Sequence, residues 1–219
     1  MPHHAHQSDI APATLGRTIR SWARFYDVVA WAMSFGQEPA IRRQTIVAAE
    51  LVAGEKVLDV GCGTGTLAIA AARRVGPEGE VHGTDASPEM IAVASSKAMS
   101  KHVPDRFRVA AIEKLPFAED SFDVVLSSFM LHHLPDDVKA QGLAEIKRVL
   151  KPGGRFLAVD LSGSRSVLGH IMSVFGHSMK EGYVDELKAM FSEAGLAHVE
   201  EIATKFKYLA FLKAQKPAS

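Results

Sequence analysis

The stretch Val57-Leu-Asp-Val-Gly-Cys-Gly-Thr-Gly65 runs without a break into Thr66-Leu-Ala-Ile-Ala-Ala-Ala-Arg-Arg74. Val57 to Val60 is a short apolar run with β-branched residues, bounded by glycine, which reads as a buried strand. Residues 66–74 are rich in strong helix formers and contain neither proline nor glycine. Between the two lies a turn with glycine at 61, 63 and 65. Glycine tolerates positive φ and lets another molecule approach the backbone closely. Strand, glycine turn and helix together form a ligand cradle at the carboxyl end of a strand.

Spacing narrows the ligand. A dinucleotide fingerprint has the order Gly-x-Gly-x-x-Gly and seats pyrophosphate on the helix N-terminus. Here the third glycine comes one position early, at Gly65, and Thr66 follows. Asp59 stands at the mouth of the turn, where its carboxylate repels pyrophosphate and attracts an ammonium group. Twenty residues beyond Gly65 comes Asp85, at the end of a second strand, where a carboxylate suits two ribose hydroxyls. A nucleoside bearing an amino acid satisfies both carboxylates, and S-adenosylmethionine is such a molecule.

The motifs VLDVGCGTG (57–65), GTDAS (83–87), LPFAEDSFDVVLSSFMLHHL (115–134) and RVLKPGGRF (148–156), in this order, resemble those of class I S-adenosylmethionine-dependent methyltransferases. They cover roughly residues 55–160. FYDVVAWAMSFGQ (25–37) is similar to the opening segment of the ubiquinone/menaquinone-biosynthesis methyltransferase group (methyltransferase type 11). The resemblance implies an α/β, Rossmann-like, seven-stranded and mostly parallel sheet with helices on both faces and a helical N-terminal lid. S-adenosylmethionine would be the methyl donor and S-adenosylhomocysteine the product.

Composition agrees with one decorated domain. The chain has 219 residues, 47% of them hydrophobic, with 25 Lys plus Arg against 25 Asp plus Glu. That zero balance argues against a nucleic-acid partner, which calls for a positive surplus. The single cysteine, Cys62, rules out a disulfide framework and fits a reducing cytoplasm. No run approaches a membrane span in length, and the N-terminus lacks a signal-peptide core.

Residues 1–12 read as a disordered lead-in carrying His3, His4 and His6, and residues 13–53 as an N-terminal helical cap. The cap divides into an aromatic amphipathic helix over 14–35 and a second helix over 39–52, stopped at Gly54. The catalytic domain is expected over 54–219. Strands are predicted at 57–60, 80–84, 106–109, 122–127 and 155–160, with an antiparallel edge pair at 198–203 and 208–213. Helices are predicted at 66–74, 88–100, 135–150 and 183–194. Ser87 and Pro88 make a helix start, and Lys151-Pro-Gly-Gly154 breaks a helix. Residues 161–182 form an insertion with an apolar helix over 167–179, which the resemblance puts on the substrate side.

Asp59, Gly61, Cys62, Gly63 and Gly65 are expected around the methionine half of the donor, and Asp85 on the ribose. Ala86 and Met90 would wall the adenine, Ala111 and Ile112 would lie beside it, and Ser127 and Ser128 beside the methionine group. Related enzymes carry an adenine-binding Asp where this chain has Ala111, which leaves recognition to backbone groups or Glu113. Methyl transfer to a protonated nucleophile benefits from a base. His132 and His133 follow strand four at the carboxyl edge and are candidates; alternatively one caps the helix over 135–150 and the other packs. His170, His177, Tyr26 and Tyr183 are secondary candidates. Trp22, Tyr26, His170 and Phe175 are expected at the substrate. No spacing of His, Cys, Asp and Glu reads as a metal site.

The expected partner is a small-molecule acceptor that is quinone-like, phenolic or lipid, methylated at carbon or oxygen. A lipid acceptor would add peripheral membrane contact, and the enzyme would act as a monomer or homodimer. The alternatives are N-methylation of an amine or phospholipid head group, and a protein that binds the donor without catalysis.

Overall fold

The computed structural model describes residues 36–162 and 182–218. The lead-in, the helix expected over 14–35, the apolar helix over 167–179, and Trp22, Tyr26, His170, Phe175 and His177 lie outside the described residues. The elements run α1 (Glu38–Ala48), β1 (Lys56–Val60), α2 (Thr66–Val75), β2 (Glu80–Asp85), α3 (Pro88–Ser100), β3 (Phe107–Val109) and β4 (Phe122–Ser128). A single 3₁₀ turn (Leu131–His133) follows, then α4 (Asp136–Val149), β5 (Leu150–Leu161), α5 (Tyr183–Glu193), β6 (Ala197–Ile202) and β7 (Leu209–Gln215).

The seven strands form one sheet in the order β3-β2-β1-β4-β5-β7-β6. β1 pairs in parallel with β2 and β4, and β5 in parallel with β4. β7 is antiparallel to both β5 and β6, which matches the expected edge pair. Strand order reverses at β1 and β4, and ligands of open α/β sheets bind in the crevice at that reversal, beyond the strands' carboxyl ends. Two buried apolar clusters cover the sheet. Ile41, Leu67, Ala71 and Val75 of α1 and α2 join Val57, Val124, Leu126 and Phe211 on one face. Val138, Leu143 and Ile146 of α4 and Leu187 and Phe191 of α5 join Leu58, Val125 and Phe156 on the other.

Local signals place most boundaries within two residues of expectation. Ser87 caps α3, its Oγ accepting from the Met90 N–H at 3.2 Å, with Pro88 as the first helical residue. Two expectations need correction. The helix over 39–52 stops at Ala48, and Glu50 turns into the left-handed region at φ 52°. Arg155 sets this stop: its guanidinium donates to the Ala49 and Glu50 carbonyls at 3.3 Å and pairs with Glu55 at 2.6 Å. Gly54, at φ 84°, only shapes the turn into β1. The Lys151–Gly154 break lies inside a strand. β5 already begins at Leu150, opposite Phe122, and the register jumps so that Val124 faces Arg155. The extra residues bulge out around Gly153, at φ 76°, whose N–H donates to the Lys216 carbonyl. Among the described residues no helix is long and apolar enough to cross a membrane.

Candidate active site

The glycine turn uses its own N–H groups. Gly61 and Cys62 both donate to the Thr84 carbonyl, Gly65 donates to Cys62, and the Gly63 N–H donates to Asp85 Oδ2 at 2.9 Å. A phosphate cradle depends on such groups being available, so this turn is built for a different ligand. Gly61, at φ 71°, lies under Met130 from the loop after β4: a Cβ there would sit 2.5 Å from Met130 Cγ.

Asp59 is the telling residue. It is 1% exposed, and neither carboxylate oxygen completes a hydrogen bond among the described residues. Burial raises its pKa to about 7, against the pull of Arg42 and the Ala68 N–H and with the repulsion of Asp85. Arg42 and the Ala68 N–H only partly offset the burial of this carboxylate, and a buried carboxylate is costly unless a cation meets it. An ammonium group on a bound ligand would supply such a cation. Thr84 Oγ1 and Ser127 Oγ, at the carboxyl ends of β2 and β4, are likewise buried without a hydrogen-bond partner.

Asp85 closes β2 and bridges the glycine turn to α3, accepting from Gly63 on Oδ2 and from the Ser87 N–H on Oδ1 at 2.9 Å. Burial raises its pKa, and the two N–H donors oppose that shift. Each oxygen keeps a second lone pair, which is the acceptor set two ribose hydroxyls require. Half-buried Ala86 follows directly, and Met90 is buried in the first turn of α3. The Ala110 N–H donates to the Asp85 carbonyl, which brings the buried Ala111 to the same edge. Ammonium site, diol site and apolar wall together fit S-adenosylmethionine.

Three expected cofactor residues serve the fold through their side chains or through the lack of one. Gly65, at φ 74°, leaves room for neighbours: a Cβ there would lie 2.7 Å from the Phe107 ring and 2.9 Å from Ala94. Cys62 Sγ packs against Gly83, and burial and the nearby Asp59 and Asp85 hold the thiol well above its ordinary pKa. The Ile112 side chain fills the space over Gly142 of α4, where a Cβ would meet it at 2.5 Å.

A second polar group lies on the α4 and α5 face, at the ends of β4 and β5. Phe129 takes φ 54°, uncommon for a bulky residue, and leads through Met130 to the 3₁₀ turn. There His132 Nδ1 pairs with the Asp160 carboxylate, and the His132 backbone N–H donates to the other oxygen at 2.9 Å. The Tyr183 hydroxyl donates to Asp160 Oδ2 at 3.3 Å. The His133 ring lies 3.9 Å from that of His132. The cap position of α4 is Pro135, which makes no side-chain cap hydrogen bond of its own. Sequence reading missed Asp160 and Arg42. The available signal for Asp160 was an acidic residue closing an apolar strand at the same edge as Asp59 and Asp85. Among the described residues no cluster of His, Cys, Asp and Glu could hold a metal.

Residues 57–154 match the family model of the methyltransferase domain, the class that this sheet and cradle define. The demethylmenaquinone methyltransferase of Bacillus cytotoxicus is 33% identical over 220 residues, covering 89% of this chain and 92% of that protein. The ubiquinone/menaquinone biosynthesis C-methyltransferase UbiE of Burkholderia mallei is 39% identical over 142 residues, 65% of this chain and 58% of that protein. A methyltransferase structure from Aquifex aeolicus, 21% identical, shares the fold with a TM-score of 0.69 over 91% of this chain and 100% of its own. The chain belongs to the S-adenosylmethionine-dependent methyltransferases of the ubiquinone/menaquinone group.

Proposed function

We propose that this enzyme methylates a ring carbon of a reduced, quinone-type acceptor. The observation that carries the reading is the near full-length similarity to a protein named for demethylmenaquinone methylation. The chemistry agrees. S-adenosylmethionine supplies a methyl group activated by a sulfonium, which is an electrophile. A quinone ring carbon is electron-poor, whereas the hydroquinone or its phenolate is electron-rich, so the acceptor is the reduced form. The chain contributes alignment, which can lower the barrier by several kcal/mol. Asp59 holds the donor's ammonium group and Asp85 its ribose; Ala86 and Met90 contact the adenine, while Ser127 and Ser128 leave space at the methionine end. The acceptor in this reading is a small molecule; a lipid-tailed one would bring the enzyme to a membrane surface from the cytoplasm.

The purified protein, given donor and a reduced demethylated naphthoquinol with a short prenyl tail, is expected to yield ring-methylated product and S-adenosylhomocysteine by mass spectrometry. Phosphoethanolamine and simple amines, assayed in parallel, are expected to stay unmodified. Methylation of an amine but not the quinol would reassign the acceptor. Donor binding without methylation of any acceptor would make this a binding protein.

Asp85→Ala is expected to weaken donor binding by about 1–3 kcal/mol, the usual effect of leaving buried polar groups unpaired. Isothermal titration reads this directly. Unchanged affinity would place the ribose elsewhere.

A further inference from the structure

The geometry points to His132 as the base that takes the acceptor's hydroxyl proton, with Asp160 and Tyr183 as the residues that position it. This inference rests on the quinol reading above.

Asp160 is 2% exposed and saturated with donors. It accepts from the His132 ring, the His132 backbone N–H, the Leu161 N–H and the Tyr183 hydroxyl. A carboxylate facing Nδ1 holds the proton on that nitrogen and leaves the lone pair on Nε2, which makes the imidazole an acceptor of fixed orientation. The same carboxylate stabilises the imidazolium once a proton arrives. Tyr183 secures the other oxygen. Burial and the charge of Asp160 raise its phenol far above the ordinary range, so it stays a donor. The other charged or titratable groups facing this cluster are His133 beside His132, Asp136 and Lys139 of α4, and Glu186 of α5. The cluster adjoins the methyl donor's site: Met130, two residues before His132, is the side chain resting on Gly61 of the cradle.

The step balances as follows. His132 Nε2 takes the hydroxyl proton of the quinol. The electron-rich ring carbon forms its bond to the methyl group, and the pair that joined methyl to sulfur remains on a neutral thioether. The acceptor is then a keto tautomer bearing both hydrogen and methyl at that carbon. Loss of the C–H proton to water restores the aromatic ring, and the oxygen takes back the proton held on His132. One proton is released per methyl transferred.

The test combines rate against pH with nitrogen NMR of the intact protein. His132→Gln is expected to lose about a hundredfold or more in turnover, the lower range for removal of a general base. It is also expected to change the dependence of rate on pH. Asp160→Asn is expected to lose about tenfold or more, as removal of an orienting partner does elsewhere, and to change that dependence as well. Tyr183→Phe, which keeps the packing ring, is expected to show the same change at smaller size. Donor affinity is expected to be unchanged in all three. In the wild type the His132 nitrogen shifts are expected to show the proton on Nδ1, and to change in Asp160→Asn. An active wild type with full, pH-unchanged rate in His132→Gln would overturn the inference, as would a proton on Nε2. Failure of the wild type to methylate any quinol would instead overturn the acceptor reading, and the nitrogen shifts would still decide the tautomer.

Discussion

Asp59→Asn is expected to lower affinity for the methyl donor roughly a hundredfold while making the ligand-free protein more stable. The two effects have one cause. The Asp59 carboxylate is buried, neither oxygen has a hydrogen-bond partner among the described residues, and Arg42 only partly offsets the burial, so the folded protein carries an under-compensated polar group until a ligand cation arrives. Removing one partner of a buried charge pair costs about 3 kcal/mol or more, which is about a hundredfold in a binding constant. Without the cation, the same substitution removes the burden of a buried anion. The pKa of about 7, against an ordinary carboxyl, corresponds to a penalty on the order of 4 kcal/mol for the ionised form. Asparagine also has unmet hydrogen bonds, so a gain of about 1–2 kcal/mol is expected. The pH dependence follows from the raised pKa. Between the ordinary carboxylate range and pH 7 the folded, ligand-free protein binds more protons than the unfolded chain, so its stability falls as pH rises through that window. Donor affinity is expected to rise over the upper part of the same window and level off above it, because the ammonium binds the ionised carboxylate. Thermal melts at pH 5 and 8 with titrations of the donor check both trends, and both should shrink in Asp59→Asn, leaving the contribution of Asp85, whose pKa burial also raises. A variant that keeps wild-type affinity would show that the ammonium group is held elsewhere.

Gly65→Ala is expected to destabilise the protein by about 2–4 kcal/mol, measured by urea unfolding. Part of this is the left-handed backbone at φ 74°, which costs a side chain on the order of 1 kcal/mol. The larger part is overlap with Phe107 and Ala94, since overpacking a core costs about 1–3 kcal/mol. Gly182 supplies an internal control: it is also left-handed, at φ 88° and ψ 0°, but has nothing within 4 Å of a Cβ. Gly182→Ala should therefore show the backbone cost alone. A Phe107→Leu background should reduce the cost of Gly65→Ala and leave that of Gly182→Ala unchanged. Equal costs at the two glycines would mean that the Phe107 contact contributes nothing.

These cases show which parts of the molecule were legible in its sequence. The cradle was, because Asp59, the glycines and Asp85 are tied by short-range spacing to a strand and a helix that announce themselves. The alternation of strands and helices was legible for the same reason. What stayed hidden depends on residues far apart in the chain. Arg155 ends α1 by holding carbonyls more than a hundred positions earlier. Nothing beside Asp160 in sequence marks it as the partner of His132, 28 positions away. Spacing identified Gly65 as a required glycine, and only the fold adds that a side chain there would meet Phe107. Ile112 reads as a contact residue from its place in a motif, and only the fold reveals that Gly142 has made room for it.

The place of β7 bears on how the chain is made. It is the later of the two closing strands, yet it lies between β5 and β6 in the sheet. During translation β6 therefore leaves the ribosome before the strand it must join. Glu200 and Glu201 lie opposite Lys213 and Leu212 in the finished ladder, and until then their charge discourages β6 from pairing with another nascent chain. A polypeptide stalled before β7 would leave the flank of β5 bare, a template for aggregation and a target for quality control.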